Sequence, residues 1–380
     1  IGRRSLWGAE GSFAGLTANV PGAVVKDNDS IKNKYIIMWI TYSIITVILL
    51  IAELVYFRIA DKCNIIDKPN ERSSHTTIVL RGGGIIFTLS MIAWAVLMVV
   101  QGYDVMPYLP FFVGLIMIAT VSFWDDVHSL PDSLRMAVQI IATLLMFWSI
   151  GLYGLDLSWW LVALIVVVAL FFCVGATNFI NFMDGINGIT AAYSFAMLLP
   201  ILLLNRGLSF IEESYLIVAI LGIAVFSIFN FRPKGKAKCF AGDVGSIGIA
   251  FIILFALGRL MLATRDVTYI VFFLVYGIDG TLTIIHRIML HENLGQAHRK
   301  HAYQLMANEL KMSHVVVSLL YMGMQLVISL GFIYLCPNTI LAHWIYLIVA
   351  GLVLVAAYVL FMKKYYHLHE EYLRGLKVNG

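Results

Sequence analysis

Long apolar runs broken by short polar stretches set the pattern of this chain. The runs fall at Tyr35 to Ile59, Gly84 to Val100, Pro107 to Trp124, Leu134 to Ile150, Leu157 to Val174 and Ile189 to Leu204. They continue at Tyr215 to Phe231, Ile247 to Thr264, Val267 to Ile285, Val315 to Cys336 and Ile340 to Met362. Each is close to the roughly 20 residues a helix needs to cross the hydrocarbon core of a bilayer. None shows the alternating polar positions of a transmembrane strand, and in lipid a lone segment must satisfy its own backbone, which only a helix does. The pattern predicts an all-α, polytopic transmembrane bundle of about 11 helices. Residues 1–34 are set apart as a tail; Ile1 to Ser30, rich in Gly, Ala and Val without a clear period, is compatible with an expression remnant and is left out of the fold argument. The transmembrane domain is placed at 35–362 and a polar C-terminal tail at 363–380.

Composition changes this picture only by strengthening it. The 380 residues are 61% hydrophobic and 13% charged. A soluble domain carries about 25% charged residues, so this excess of apolar surface has no soluble core large enough to hide it. The four cysteines, Cys63, Cys173, Cys239 and Cys336, are scattered without a C-x-x-C pair, which argues against a disulfide framework and a zinc site.

The placement of charge orients the bundle. Arg58, Lys62, Lys68, Arg72 and Arg81 lie on one side, with Arg135, then Arg232, Lys234, Lys236 and Lys238. Arg287, Arg299, Lys300 and Lys311 follow, and then Lys363, Lys364, Arg374 and Lys377. The alternate loops and their flanking turns hold only Arg206, Arg259 and Arg265. The positive-inside rule places the rich side in the cytoplasm, with the N-terminus outside and the C-terminus inside. Lys26, Lys32 and Lys34 run against this and are outnumbered.

The chemistry sits on that same side. Asp125 and Asp126 are adjacent carboxylates just after a span, a costly pair that suits a cation or a positively charged partner. Asn178, Asn181, Asp184 and Asn187 are spaced by three and would form one polar stripe on a helix, with Gly185 and Gly188 loosening its end. Asp243 stands where an N-cap belongs before the Ile247 helix, with Ser246 three residues on. Arg232 to Lys238 offers a phosphate-attracting surface beside these acids. His298, Arg299, Lys300 and His301 form a compact cationic cluster, and their spacing allows both histidines on one helix face. Anion binding fits that cluster better than zinc. Asp67 to Gly84 adds a polar loop ending in three glycines, which admit close backbone approach. Carboxylates and cations at one membrane face suggest a magnesium-dependent phosphate reaction.

In order and sidedness these motifs resemble the polyprenyl-phosphate N-acetylhexosamine-1-phosphate transferase family, a bacterial group that includes the O-antigen and common-antigen initiating enzymes and phospho-N-acetylmuramoyl-pentapeptide transferase. The resemblance implies that undecaprenyl phosphate attacks the sugar-linked phosphate of a UDP-N-acetylhexosamine. UMP leaves, and the lipid-linked product starts a surface polysaccharide such as lipopolysaccharide. It implies an active site on the cytoplasmic face of the inner membrane, with Mg²⁺ as cofactor and Mn²⁺ able to substitute. Catalytic roles fall on Asp125, Asp126 and Asp184, and metal binding on Asp243 and Asp126. Substrate contacts are implied for Asp67, Arg72, His75, Arg81, Asn178, Asn181, Asn187, His298, Arg299 and His301. Asn187 stands where many relatives carry a second acid. The sequence H-R-K-H-A-Y-Q resembles the O-antigen-initiating branch more than the three-histidine pattern of the muramoyl-pentapeptide enzymes. A homodimer is compatible with this reading, and no nucleic-acid partner is expected.

Two competing readings are weaker. An intramembrane prenyltransferase would want two Asp-rich motifs and has no counterpart of the histidine loop. A secondary transporter would place ionisable residues near midspan. Here Glu53 and Asp279 are the main acids within spans, and no internal repeat is apparent.

Overall fold

The computed structural model describes residues 21–67, 78–293 and 298–379. Among these residues the elements run α1 (Pro21–Lys62), β1 (Ile66–Asp67), β2 (Val79–Leu80), α2 (Ile85–Val100), α3 (Leu109–Val127), α4 (Asp132–Ile150) and α5 (Trp159–Phe182). They continue with α6 (Ile189–Leu208), α7 (Glu213–Asn230), α8 (Gly242–Thr264), α9 (Leu274–Met289), α10 (Ala302–Asn308), α11 (His314–Tyr334) and α12 (Ile340–Asn379). Every apolar run of the sequence is a helix. Ten of them are long and apolar enough to cross a membrane, and α2 is the shorter eleventh. The seven-residue α10 was not expected. Helix α1 begins at Pro21, inside the stretch set apart as a tail.

The chain falls into two compact units, residues 1–44 and 45–380. The described part of the first is the opening half of α1. The second holds everything else. Its centre is α8, whose residues from Val244 to Leu257 are buried without a break. An apolar helix hidden all round is the axis of a bundle rather than one face of it. Helices α2, α3, α4, α5 and α6 pack against it. Helix α12 is the opposite case, with 6% of its most apolar window buried, so its side chains meet lipid.

A break in helical hydrogen bonding is repaired from across the bundle. The residues before α9, Val267–Phe273, form a 3₁₀ helix. Gln325 of α11 spans the junction: its Oε1 accepts Val275 N–H at 3.1 Å and its Nε2 donates to Val271 C=O at 3.0 Å. Tyr193 of α6 donates to the same Oε1 at 2.6 Å and accepts from Tyr276 N–H. Irregular backbone at membrane depth is tolerated where protein supplies such partners.

One close approach shapes the site. Strands β1 and β2 pair antiparallel, and Leu80 also bridges Cys239 just ahead of α8. Gly83 and Gly84 then donate to Phe240 and Ala241 C=O at 2.9 and 3.0 Å. A Cβ on Gly245 would lie 2.5 Å from Gly84 Cα. The two backbones touch, so glycine is required on both sides.

Candidate active site

At the end of the bundle where α3 finishes and α8 begins, three carboxylates share two guanidinium groups. Asp125 and Asp126 occupy the last turn of α3, Asp243 the first turn of α8. Arg135 comes from α4 and Arg81 from the segment after β2. Arg135 Nη1 lies 2.7 Å from Asp125 Oδ2 and 3.2 Å from Asp243 Oδ2. Its other nitrogen reaches Asp132 at the start of α4. Arg81 Nε lies 2.8 Å from Asp126 Oδ1, and its Nη2 lies 3.7 Å from Asp243 Oδ1. Burial works against the Arg81 charge, but Asp126 and Asp243 more than offset it and hold the guanidinium above its ordinary value.

Asp126 does something the sequence did not suggest. Its Oδ1 accepts Asp243 N–H at 2.9 Å and its Oδ2 accepts Val244 N–H at 3.0 Å. The first amides of a helix have no intrahelical partner and carry partial positive charge. Asp126 of α3 therefore caps α8 from outside. This corrects the expectation that Asp243 is the N-cap. Ala241 stands at that position, and Asp243 is already helical. With the cap supplied by Asp126, the Asp243 carboxylate is left to face the arginines.

The polar stripe expected over Asn178 to Asn187 is also corrected. Helix α5 stops at Phe182, so only Asn178 and Asn181 share its face. Gly188 has φ +85°, and a Cβ there would enter the Phe231 ring, so the backbone turns before α6. Asn181 Oδ1 accepts the Ser246 hydroxyl of α8 at 2.6 Å. Asn178 donates to Gln139 of α4 at 2.8 Å. Asn187 is buried and structural in its contacts: its Nδ2 donates to Arg232 and Pro233 C=O, both at 3.0 Å. Asp184 lies in the turn and accepts the Thr190 hydroxyl at 2.6 Å. Burial pushes its carboxyl up to about 6, the Thr190 hydrogen bond pulls it back, and Asp243 adds repulsion.

The histidine motif reaches the same turn. A Cβ on Gly185 would meet Gln304 Nε2 and the Tyr303 hydroxyl. His298 and His301 do not share a helix face as expected, because α10 starts only at Ala302, with His301 as its N-cap residue and the Gln304 side chain accepting the His301 N–H at 3.3 Å. The two imidazoles still lie together, with ring centroids 5.0 Å apart. Burial and the neighbouring His301, Arg287 and Lys300 lower His298 to about 3, so that ring is neutral. Arg299 turns to Glu309 at 2.9 Å and lies over the Tyr372 ring, while Lys300 pairs with Glu292. Burial raises the Glu309 carboxyl, but His369 and Arg299 outweigh it and hold it below its ordinary value. Asp67 is near enough to act on the Arg81 charge. Arg72 and His75 lie outside the described residues. The basic run expected beside the acids lines a separate cavity of about 630 Å³ with Asp61, Ile66 and Leu80, where Arg232, Lys236 and Lys238 project.

Sequence reasoning missed Arg135 as a site residue. Its signal was present: a lone arginine in the first turn of a span, ten residues past an acid pair. Asp279, Ser246 and Thr190 were noted for other reasons or not at all, because only the packing of helices brings them to the site.

Among the described residues no three His, Cys, Asp or Glu side chains stand ready as a metal site. Two carboxylates plus substrate phosphates suffice for magnesium. Asp125 Oδ2 and Asp243 Oδ2 fit that demand, since both converge on one nitrogen of Arg135. Asp126 fits less well, because both its oxygens hold backbone amides.

Residues 108–261 match the model of glycosyl transferase family 4. That segment runs from the start of α3 through most of α8 and so carries every acid of the cluster. A Bacillus subtilis protein named probable undecaprenyl-phosphate N-acetylglucosaminyl 1-phosphate transferase is 28% identical over 283 residues, covering 69% of this chain and 76% of that one. The phospho-N-acetylmuramoyl-pentapeptide-transferase of Thermotoga petrophila is 26% identical over 54% of this chain and 67% of its own. That of Thermotoga maritima is 31% identical over a shorter stretch, 32% of this chain and 37% of its own.

Proposed function

We propose that this member of glycosyl transferase family 4 transfers an N-acetylhexosamine 1-phosphate from a UDP-sugar to undecaprenyl phosphate, releasing UMP, at the cytoplasmic face of a bacterial plasma membrane. One observation carries the reading. Asp125, Asp243, Arg81 and Arg135 converge at the basic end of a transmembrane bundle, within reach of the turn on which the histidine motif packs. A soluble nucleotide sugar and a lipid phosphate meet only at such an end. The names of the relatives in Bacillus and Thermotoga support the lipid and the class of sugar.

The chemistry needs positioning more than a base. A phosphate monoester has a second pKa of about 6, so the attacking lipid phosphate is largely dianionic at neutral pH. Asp125 accepts Leu130 N–H and Arg135, and Asp126 accepts two amides and Arg81. Both oxygens of Asp126 are taken up by the first amides of α8, so its part is that of a support rather than the catalytic and metal roles that the resemblance implied. Asp125 and Asp243 would hold Mg²⁺, which when bound draws the diphosphate and the attacking phosphate together by screening their charge. Arg81 and Arg135 are the cations nearest those acids and would take phosphate oxygens as a bidentate fork does. Asp184, whose carboxyl burial pushes up to about 6, is able to exchange a proton near neutral pH.

The test is direct. Purified protein is incubated with undecaprenyl phosphate, Mg²⁺ and a panel of UDP-N-acetylhexosamines, UDP-N-acetylglucosamine among them, and UMP is measured. UMP release that depends on the lipid phosphate is expected, and no UMP from any sugar would overturn the reading. Mn²⁺ in place of Mg²⁺ is expected to sustain a lower rate, and a chelator to abolish it.

A further inference from the structure

Outside the carboxylate–arginine cluster, the most unusual group in the molecule is Asp279 of α9. It is a fully buried acid inside a span. Its Oδ2 accepts the Tyr321 hydroxyl of α11 at 2.6 Å. Its Oδ1 accepts Ala302 N–H at 3.1 Å and the Thr283 hydroxyl at 3.2 Å, and faces His301 Nδ1 at 3.4 Å. Thr283 in turn is 2.9 Å from the Tyr358 hydroxyl of α12. A buried charge is retained only where partners compensate it, and here helices α9, α10, α11 and α12 all contribute.

The arrangement fixes the histidine. A carboxylate that already takes three donors can only accept, so the imidazole must present Nδ1–H to it. The ring is then clamped on its second face against Tyr303, with centroids 5.7 Å apart at 25°. Nε2, on the far edge, is buried and has no hydrogen-bond partner among the described residues. An unpaired buried imidazole nitrogen costs free energy unless something arrives to pair it. Neutral His298 lies beside it, and Tyr303 and Gln304 carry the motif onto the Asp184–Gly185 turn.

We propose that Asp279 is a positioning residue for the reaction: it holds His301 with Nδ1–H donated to its carboxylate, so that the Nε2 lone pair is left to accept a hydrogen bond from a hydroxyl or N–H group of the bound sugar nucleotide. This rests on the phosphotransfer reading above for the identity of the ligand, and on the geometry alone for the histidine. Asp279 touches no substrate and acts through His301. The same logic lets orienting carboxylates tune histidine ligands at metal sites, where losing them typically lowers function about 10–100-fold.

Two measurements test it separately. In protein labelled with ¹⁵N at histidine and held in nanodiscs, the His301 signal, assigned by its loss in His301→Ala, is expected to show a protonated Nδ1. In Asp279→Asn that proton is expected to move to Nε2 or to be shared between the two nitrogens. Tyr321→Phe removes a donor from the other carboxylate oxygen and is expected to leave the ring signal in place. It serves as a control for general loosening of the fold. The second measurement is a cycle in UMP release. Asp279→Asn is expected to lower kcat about 10–100-fold with KM for the UDP-sugar within about threefold. In a His301→Ala background the same change is expected to cost nothing further, because residues that act as a unit are not additive. Asp279→Glu is expected to recover part of the rate. An unshifted His301 signal in Asp279→Asn, or additive losses in the cycle, would overturn the proposal. A shifted signal with no UMP even from wild type would instead overturn the reaction and leave the pairing standing.

Discussion

Replacing Gly84 by alanine tests whether the contact between the segment after β2 and α8 builds the site. A Cβ at Gly84 would lie 2.8 Å from Ala241 C=O and closer still to Gly245 Cα. Both are backbone, so no side chain can swing away. Carbon atoms settle at about 3.5–4.0 Å, so the two backbones must part by about 1 Å. That displacement stretches the Gly83 and Gly84 hydrogen bonds to Phe240 and Ala241 from 2.9 and 3.0 Å to beyond useful length. Two such bonds contribute about 0.5–1.5 kcal/mol each and forced overpacking costs about 1–3 kcal/mol, for a total of about 2–6 kcal/mol. Arg81 lies three residues earlier and would be drawn off Asp126 and Asp243. The expected result is a fall in the midpoint of thermal unfolding in detergent together with a loss of UMP release of at least tenfold. Gly175→Ala is the control: it lies within α5, a Cβ there meets nothing within 4 Å, and both readouts should hold or improve. If Gly84→Ala unfolds at the wild-type temperature and turns over at the wild-type rate, the close contact does not position the site.

Three further outcomes follow from the same cluster. Asp126→Asn keeps one acceptor but turns an amide N–H₂ toward Val244 N–H or Arg81, so about 1–3 kcal/mol of stability should be lost, read as a lower unfolding midpoint, with most of the activity. Arg135→Lys retains charge but a point charge cannot serve Asp125 and Asp243 as a planar fork does, so kcat/KM for the UDP-sugar should fall about 10–100-fold, and a wild-type value would exclude Arg135 from the site. Asp184 titrates at about 6 against an ordinary 3.8, so the folded protein holds its proton over a range where the unfolded chain has lost it. Stability should therefore fall as pH rises from about 4 to 6, by up to about 3 kcal/mol, and Asp184→Asn should flatten that slope in unfolding midpoints taken across the range.

What the sequence disclosed and what it hid divide along a physical line. Helices were legible because in lipid each must satisfy its own backbone, so the apolar run is the element. Which helix ends carry the basic loops was legible because Lys and Arg are read directly from the chain. Residue roles that depend on two elements meeting were not. Asp126 reads as a metal ligand or base from its neighbour Asp125, and only the placement of α8 against α3 makes it a cap. Asp279 reads as an awkward acid in a span, and only α10 and α11 make it a partner for His301. The spacing arguments failed for a related reason. A period of three matters only while the helix continues, and Gly188 and the N-cap residue His301 end it sooner than the motif does. The site is thus assembled from helix ends rather than helix faces. A helix end offers unpaired amides and carbonyls, a dipole and a change of chain direction in one place. In this bundle Asp126 and His301 both occupy such ends, and that is where an anionic substrate entering from water would first meet the protein.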